Sequence, residues 1–146
     1  MTESFLPHMN GVTGSVMQIL RHLERTGHEA FVLAPAAAGM PTSLHGARIV
    51  PLPSVALPGY PTVRVGASGA RRVAAELAGF RPDVVHLASP FALGWRAVVA
   101  ADRLGIGTVA AYQTDVVAYA ERYRVAATTG IAQSHVARLH RRATVT

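Results

Sequence analysis

The chain has 146 residues, of which half are hydrophobic and none is cysteine, so disulfide frameworks and thiolate metal sites are excluded. All 14 basic residues are arginine, and the formal net charge is +6. These arginines are spread along the chain and aromatic residues are few, so no nucleic-acid-binding platform is expected. No apolar run approaches the ~20 residues that span a bilayer, and no signal peptide is evident. A cytoplasmic globular domain is predicted.

Hydrophobic periodicity predicts alternating helices and strands. A helical apolar stripe begins at Val12, and Gly27 supplies a left-handed stop. Further helices are predicted at 69–78 (closed by Gly79), 91–104, 114–123 and 129–142, and strands at 28–34, 47–52, 84–87 and 107–112. The segment 53–65 contains three prolines and is predicted to be a loop, not a strand. Continuous apolar strands between helices indicate an α/β fold with a parallel sheet covered on both faces.

The two ends of the sequence suggest an incomplete domain. Residues 2–12 resemble the turn that follows a parallel strand, but only Met1 precedes them. Residues 143–146 resemble the first residues of another strand. We therefore expect a sheet that lacks its first strand, and half of an active site.

The first candidate site is Asn10-Gly11 at the start of the first helix, since ligands of open α/β sheets bind beyond the carboxyl ends of the strands. A glycine at a helix N-terminus lets an anion such as a diphosphate approach free N–H groups and a partial positive charge. Plain helix capping by Asn10 is the favoured alternative on these two residues alone. The dinucleotide-binding pattern GxGxxG is absent.

The second candidate is the end of the strand at 84–87. His86 is interpreted as a packed core residue, whereas Ser89 follows the strand and either caps the next helix or meets a ligand. Ser89 lacks the G-x-S-x-G setting of a nucleophile elbow, so hydrolase chemistry is not supported.

The third candidate is Tyr112-Gln113-Thr114-Asp115, which directly follows a buried strand. Capping by Thr114 or Asp115 and a functional polar cluster are equally good interpretations, and Asp115 should stay ionised near the helix dipole. The seven histidines show no HExxH spacing and no accompanying carboxylates, so no metal site is predicted.

The predicted last helix ends in several basic residues: Arg138, His140, Arg141 and Arg142. A solvated face that complements the helix dipole is the first interpretation. Contact with anionic lipid headgroups, with Val136 and Leu139 as an apolar edge, is the second.

Five long blocks together resemble the N-terminal half of a family 4 glycosyltransferase, most of all the actinobacterial GDP-mannose-dependent α-mannosyltransferases and then the sulfoquinovosyl diacylglycerol synthases. The blocks are TESFLPHMNGVTGSV at 2–16, RTGHEAFVLAP at 25–35, VPLPSVALPGYPTVRV at 50–65, FRPDVVHLASPFALGWRAVVAADRLGI at 80–106 and VAAYQTDVVAYAERY at 109–123. They cover nearly all of the chain in the family's order.

The resemblance implies a GT-B fold, in which two Rossmann-like domains face a cleft. Residues 1–146 would form the N-terminal, acceptor-side domain, and the C-terminal domain that holds most of the sugar nucleotide is missing. The loop formed by Asn10, Gly11 and Val12 would lie near the donor diphosphate and the transferred sugar. No cofactor is implied beyond the sugar-nucleotide substrate, GDP-mannose.

The same resemblance assigns catalytic positions to Gln113 and Asp115. Gln113 stands where many members of the family have a histidine that contacts the transferred sugar, and Gln-Thr-Asp is usual in the mannosyltransferase subgroup. Gln113 would bind the sugar through its amide, while Asp115 would orient a hydroxyl. Ser89 and Thr114 are candidates for acceptor binding. Tyr60 and Arg64, on the proline-rich loop, are further candidates that do not come from the resemblance, and a surface loop held by its prolines is an equally good interpretation of that segment.

The implied function is transfer of a hexose with retention of anomeric configuration to a lipid or lipoglycan acceptor at the inner face of the plasma membrane. No protein nucleophile is evident, so the departing phosphate would help deprotonate the acceptor. The isolated chain is expected to be inactive. A non-catalytic, flavodoxin-like binding or interaction module is the alternative.

Overall fold

The computed structural model describes residues 1–57, 60–89, 91–111 and 129–146. Within these ranges lie the helices α1 (Gly11–Arg25), α2 (Ala70–Phe80), α3 (Ala92–Leu104) and α4 (Thr129–Arg142). The strands are β1 (Phe31–Pro35), β2 (Ser43–Leu44), β3 (Ala47–Leu52), β4 (Ser54–Leu57), β5 (Tyr60–Gly66), β6 (Val84–Leu87) and β7 (Gly107–Ala110).

Two pairs of strands are parallel, as the sequence predicts. β1 pairs with β3 in parallel from Phe31 to Pro35, and the short β2 adds an antiparallel edge on the other side of β3. β6 pairs with β7 in parallel along its full length. Near the end of the chain, Val145 forms an isolated parallel bridge to Val109 of β7.

Alternating side chains of β1 enter two hydrophobic clusters, which shows that helices cover both faces of the sheet. Val32 packs in one cluster with Val16 and Leu20 of α1. Leu33 packs in the other with Leu77 of α2 and with side chains of α3. Successive side chains of a strand point to opposite faces, so a strand that is apolar throughout needs a partner layer on each side. The predicted α/β class is confirmed.

Most helix boundaries match the sequence prediction, but the end of α2 does not. Gly79 lies inside the helix, which continues to Phe80. The stop is Arg81, which adopts a left-handed conformation with φ of 56° and donates its N–H to Leu77 O at 2.8 Å. Pro82 then prevents the helix from continuing. For α3 the glycine signal is correct, since Gly105 caps the helix with φ of 68°.

The prediction of a loop over residues 53–65 is wrong, because this segment contains the antiparallel pair β4–β5. Pro53 precedes the first strand, and Pro61 falls in an irregular stretch between the pairings Leu57–Tyr60 and Ala56–Arg64. A proline destabilises a sheet only at a position where its missing N–H would have donated a hydrogen bond to a neighbouring strand. A two-stranded ribbon has edge and bulge positions at which no such hydrogen bond is made, so a proline is tolerated there.

The helix predicted at 114–123, after β7, lies outside the described residues. In the part of the chain that is described, no helix is both long enough and apolar enough to span a bilayer.

Candidate functional site

The loop that leads into α1 starts between β1 and β6. The Met1 amino group donates to His86 O at 2.9 Å, and Ala88 N donates to Met1 O at 2.9 Å. Thr2 N donates to Leu33 O at 3.1 Å. The loop therefore leaves the sheet at the carboxyl ends of both strands, the edge where ligands of such sheets bind.

Asn10 caps α1, as the conservative interpretation of the sequence predicts. Its side-chain oxygen accepts the N–H of Thr13 at 2.9 Å, and its amide donates to Ser4 Oγ at 2.6 Å. Thr13 Oγ1 donates to His8 O at 2.9 Å. The side chains of the N-cap and of the first helical turn therefore tie the helix to Ser4 and His8 of the loop. A rigid loop fixes the direction in which the helix N-terminus points.

Capping by Asn10 leaves the first two N–H groups of α1 available. The N–H groups of Thr13 and Gly14 are bonded to Asn10, whereas those of Gly11 and Val12 have no partner among the described residues. A Cβ placed on Gly11 would meet no atom within 4 Å, so packing does not require glycine there. An exposed glycine with free space above it, at the positive end of a 15-residue helix, suits a close-lying anion.

Ser89 faces the interior. The residue is only 3% exposed, and its hydroxyl accepts the N–H of Glu3 at 3.1 Å and lies 3.4 Å from Thr2 Oγ1. In this position Ser89 ties the end of β6 to the start of the loop. Its predicted contact with an acceptor stays a prediction.

Glu3 is the residue of this site that the sequence analysis missed. Its Oε1 accepts the N–H groups of Leu93 at 2.5 Å and Gly94 at 3.4 Å at the start of α3. Burial raises the pKa of the Glu3 carboxyl from 4.5 to about 7, although the two N–H donors and the charge of Arg96 lower it in part. The sequence offers one signal for Glu3, which is an acidic residue in an otherwise uncharged turn. Its structural role could not be recognised from this signal, because the N–H groups that it accepts lie 90 and 91 residues further along the chain.

Gly94 is what allows α3 to approach the end of β6. A Cβ on Gly94 would lie 2.2 Å from Ser89 O, a backbone atom that cannot move aside easily. Glu3, Ser89 and the N-terminus of α3 therefore form one packed unit, which supports the loop leading to Asn10.

Two of the predicted acceptor residues, Tyr60 and Arg64, belong to β5 of the β4–β5 ribbon. Arg64 donates from Nε to Ser54 Oγ at 2.7 Å and from a terminal nitrogen to Ser54 O at 3.1 Å, so its guanidinium is anchored across the ribbon. The side chain of Tyr60 is outside the described part of the structure. The structure does not bring Arg64 into contact with Asn10 or Ser89.

Three of the predicted site residues belong to the turn after β7. Gln113, Thr114 and Asp115 lie outside the described residues, so their predicted roles remain predictions. Among the residues that are described, no three His, Asp or Glu side chains are close enough together to hold a metal ion.

The basic end of α4 packs against α3. Arg138 lies over the Trp95 ring at 5.0 Å, and Arg142 pairs with Asp102 at 2.5 Å. Val136 and Leu139 are buried, so the apolar edge expected for lipid contact is instead part of the interior.

His86 is partly buried in β6, and burial, followed by the charge of the Met1 amino group, lowers its pKa to about 4.

The fold and the helix terminus at the carboxyl edge of its strands define a Rossmann-like α/β domain with an anion-accessible first turn. The sequence profile of glycosyltransferase family 4 matches residues 9–146. The chain therefore belongs to glycosyltransferase family 4.

Three relatives are GDP-mannose-dependent α-mannosyltransferases. The Mycobacterium tuberculosis (strain CDC 1551 / Oshkosh) protein is 47% identical over 95% of this chain, and the Mycolicibacterium smegmatis protein is 43% identical over 97%. The Corynebacterium glutamicum protein is 42% identical over 85% of this chain and 30% of its own length. The chain spans 38% of the length of the first two. No solved structure matches it at a significant level.

Proposed function

We propose that this chain forms the acceptor-side part of a retaining mannosyltransferase, which transfers mannose from GDP-mannose to a lipid or lipoglycan acceptor. The observation that carries the proposal is the N-terminus of α1, where Gly11 and Val12 offer N–H groups with no partner among the described residues, under open space. Identity of 42–47% to GDP-mannose-dependent α-mannosyltransferases supports the choice of sugar nucleotide.

The first turn of α1 suits the donor diphosphate. The leaving group gains negative charge as the bond between the sugar and the diphosphate breaks, and fixed N–H dipoles stabilise that charge without reorganising. The Asn10 cap holds the turn in place before the donor arrives, because its two hydrogen bonds link the helix to Ser4 of the loop. A side chain at position 11 would occupy the space that the phosphate oxygens need.

The remaining roles follow the resemblance to the family. Gln113 would bind the transferred mannose through its amide, and Asp115 would orient a hydroxyl of the sugar or acceptor. Independently of the resemblance, Thr114, Tyr60 and Arg64 would line the acceptor path. Ser89, being buried, would contribute by holding the loop that carries Asn10.

The reaction would proceed on one face of the sugar. The bond from the anomeric carbon to the diphosphate oxygen breaks, and the acceptor oxygen forms the new bond to that carbon on the same side. The acceptor proton passes to the departing phosphate, so no protein nucleophile is needed. Positioning and charge stabilisation would supply the acceleration. Residues 1–146 alone should not turn over the donor.

The test places residues 1–146 in the M. tuberculosis relative, in exchange for the segment that they match. In this chimera Gly11→Val should lower kcat/KM for GDP-mannose by about tenfold or more, a loss of at least ~1.4 kcal/mol of transition-state stabilisation. The matched control is Gly79→Val, at an exposed glycine inside α2 where an added Cβ also meets no atom within 4 Å. Equal activity of the two variants would contradict a diphosphate at this turn.

A further inference from the structure

The β4–β5 ribbon is tied to the rest of the domain through each of its strands. Through β4, Ser54 Oγ donates to Ala36 O at 2.8 Å, and Arg64 Nε donates to that hydroxyl at 2.7 Å. Through β5, Gly66 O accepts a hydrogen bond of 2.6 Å from Nη1 of Arg96 in α3. The second link joins the ribbon to the helix that also supports the first loop of the chain.

The carbonyl of Gly66 points away from β4. Residues that face each other in an antiparallel pair alternate between bonding to each other and turning their N–H and C=O groups outward. Ala67 N donates to Pro53 O at 2.7 Å, so this pair is bonded and the next pair, formed by Ser54, is not. Because Gly66 is buried and a buried carbonyl needs a partner, Arg96 satisfies a group that β4 cannot reach.

The same part of α3 holds the loop that leads to α1. Leu93 donates its N–H to Glu3 Oε1 at 2.5 Å, and the Leu93 side chain lies 3.6 Å from where a Cβ on Gly66 would stand. Arg96 follows Leu93 by three residues, which places both side chains on one side of the helix. Burial raises the pKa of the Glu3 carboxyl and the charge of Arg96 lowers it in part, so the guanidinium also acts on the loop. One side of α3 therefore supports both the loop and the ribbon.

These contacts bear on both substrates of the proposed reaction. The donor diphosphate would bind at the first turn of α1, and Arg64 of the ribbon would bind the acceptor. Both regions are fixed to α3, the loop through Glu3 and the ribbon through Arg96. A shift of the ribbon would move Arg64 relative to the donor, and a small misplacement of reacting groups strongly lowers the rate of transfer.

We propose that Arg96 is a positioning residue for the acceptor. It holds the ribbon against α3 through Gly66 O, and so sets the place of Arg64 relative to the donor turn of α1. Arg96 acts through the ribbon and touches neither substrate. The role in acceptor binding rests on the proposed function, whereas the hold on the ribbon rests on the contact between Arg96 and Gly66 alone.

The experiment places Arg96→Met, Arg96→Lys and Arg103→Met in the chimera, with an acceptor to which the unaltered M. tuberculosis relative transfers mannose. Methionine has no donor for Gly66 O, so the KM for the acceptor should rise by about tenfold, while kcat and the KM for GDP-mannose change by less than about threefold. Lysine keeps a donor and should limit the rise to about threefold. Arg103, an exposed arginine in the last turn of α3, is the matched control and should change neither KM.

A second measurement follows the ribbon without substrates, in residues 1–146 themselves. Amide exchange at Val65, which pairs with Val55 across the ribbon, should become about tenfold faster in Arg96→Met and stay unchanged in Arg103→Met. Ile49 of β3, whose N–H donates to Thr42 O at 2.9 Å, is the internal reference.

The proposal is overturned if Arg96→Met matches Arg103→Met in the KM for the acceptor, or if exchange at Val65 does not change. It is also overturned if Arg96→Met raises the KM values of donor and acceptor equally, since that result indicates general damage to the domain. A parent chimera without any activity would instead count against the proposed function, and exchange at Val65 would still decide whether Arg96 holds the ribbon.

Discussion

At the scale of single residues, Glu3 links the chemistry of the first loop to the packing beneath it. Its carboxylate accepts N–H groups at the N-terminus of α3, where the helix dipole favours negative charge. Burial opposes that charge and raises the pKa of the carboxyl to about 7. The loop before Asn10 is therefore held by a group that changes charge near neutral pH.

Stability should depend on pH through Glu3. The folded-state pKa lies above the unfolded value of 4.5, so the contribution to stability is fully present below pH 4.5 and is lost as the pH rises through about 7. The loss is on the order of 3 kcal/mol. Glu3→Gln keeps an oxygen for Leu93 N–H but cannot ionise. Urea unfolding from about pH 4 to pH 8 should show the parent losing stability relative to the variant, and parallel profiles would refute this role.

The cap at Asn10 predicts a second residue-scale effect. Asn10→Ala removes the acceptor for Thr13 N–H and should lower the free energy of unfolding by about 1 kcal/mol. Asn10→Ser retains a capping oxygen and should recover more than half of that loss. Gln18→Ala, at an exposed position within the same helix, is the control and should change little. Chemical denaturation measures all three, and an Asn10→Ala variant as stable as the control would contradict the cap.

At the scale of elements, the docking of α3 on β6 depends on Gly94. A methyl group there would collide with Ser89 O, so Gly94→Ala should lower the free energy of unfolding by about 3 kcal/mol. Gly79→Ala is the matched control, because its methyl group meets nothing and raises helix propensity by up to ~1 kcal/mol. Denaturant midpoints should move in opposite directions. A Gly94→Ala variant with an unchanged free energy of unfolding would show that α3 lies further from β6 than it does in this structure.

The sequence predicts the elements well where the signal is local. α1 follows from the spacing of Val16 and Leu20, and α3 from its apolar stripe and the stop at Gly105. The β4–β5 ribbon escaped prediction because prolines argue against strands, and only the pairing register shows that Pro61 sits in an irregular stretch. Glu3 escaped for a different reason, since its burial comes from a helix about 90 residues away.

At the scale of the whole molecule, α4 packs its apolar side into the same core as α2 and α3. Leu139 is 1% exposed and belongs to the main hydrophobic cluster, while Thr144 and Thr108 exchange two hydrogen bonds of 3.0 Å.

The fold class and the family could be predicted from the order of the sequence blocks. The orientation of the polar turn after β7 could not, because neither spacing nor periodicity tells where a polar turn after a strand will face, so the role of Gln113 stays a prediction.

The central claim is that residues 1–146 supply the acceptor-side half of a mannosyltransferase. The most direct measurement is mannose transfer from GDP-mannose by the chimera described above, using an acceptor to which the unaltered M. tuberculosis relative transfers mannose in the same assay. We expect the chimera to transfer mannose with retained anomeric configuration, and residues 1–146 alone to transfer none. A chimera that folds and binds GDP-mannose but transfers no mannose, or turnover by the isolated chain, would contradict the account.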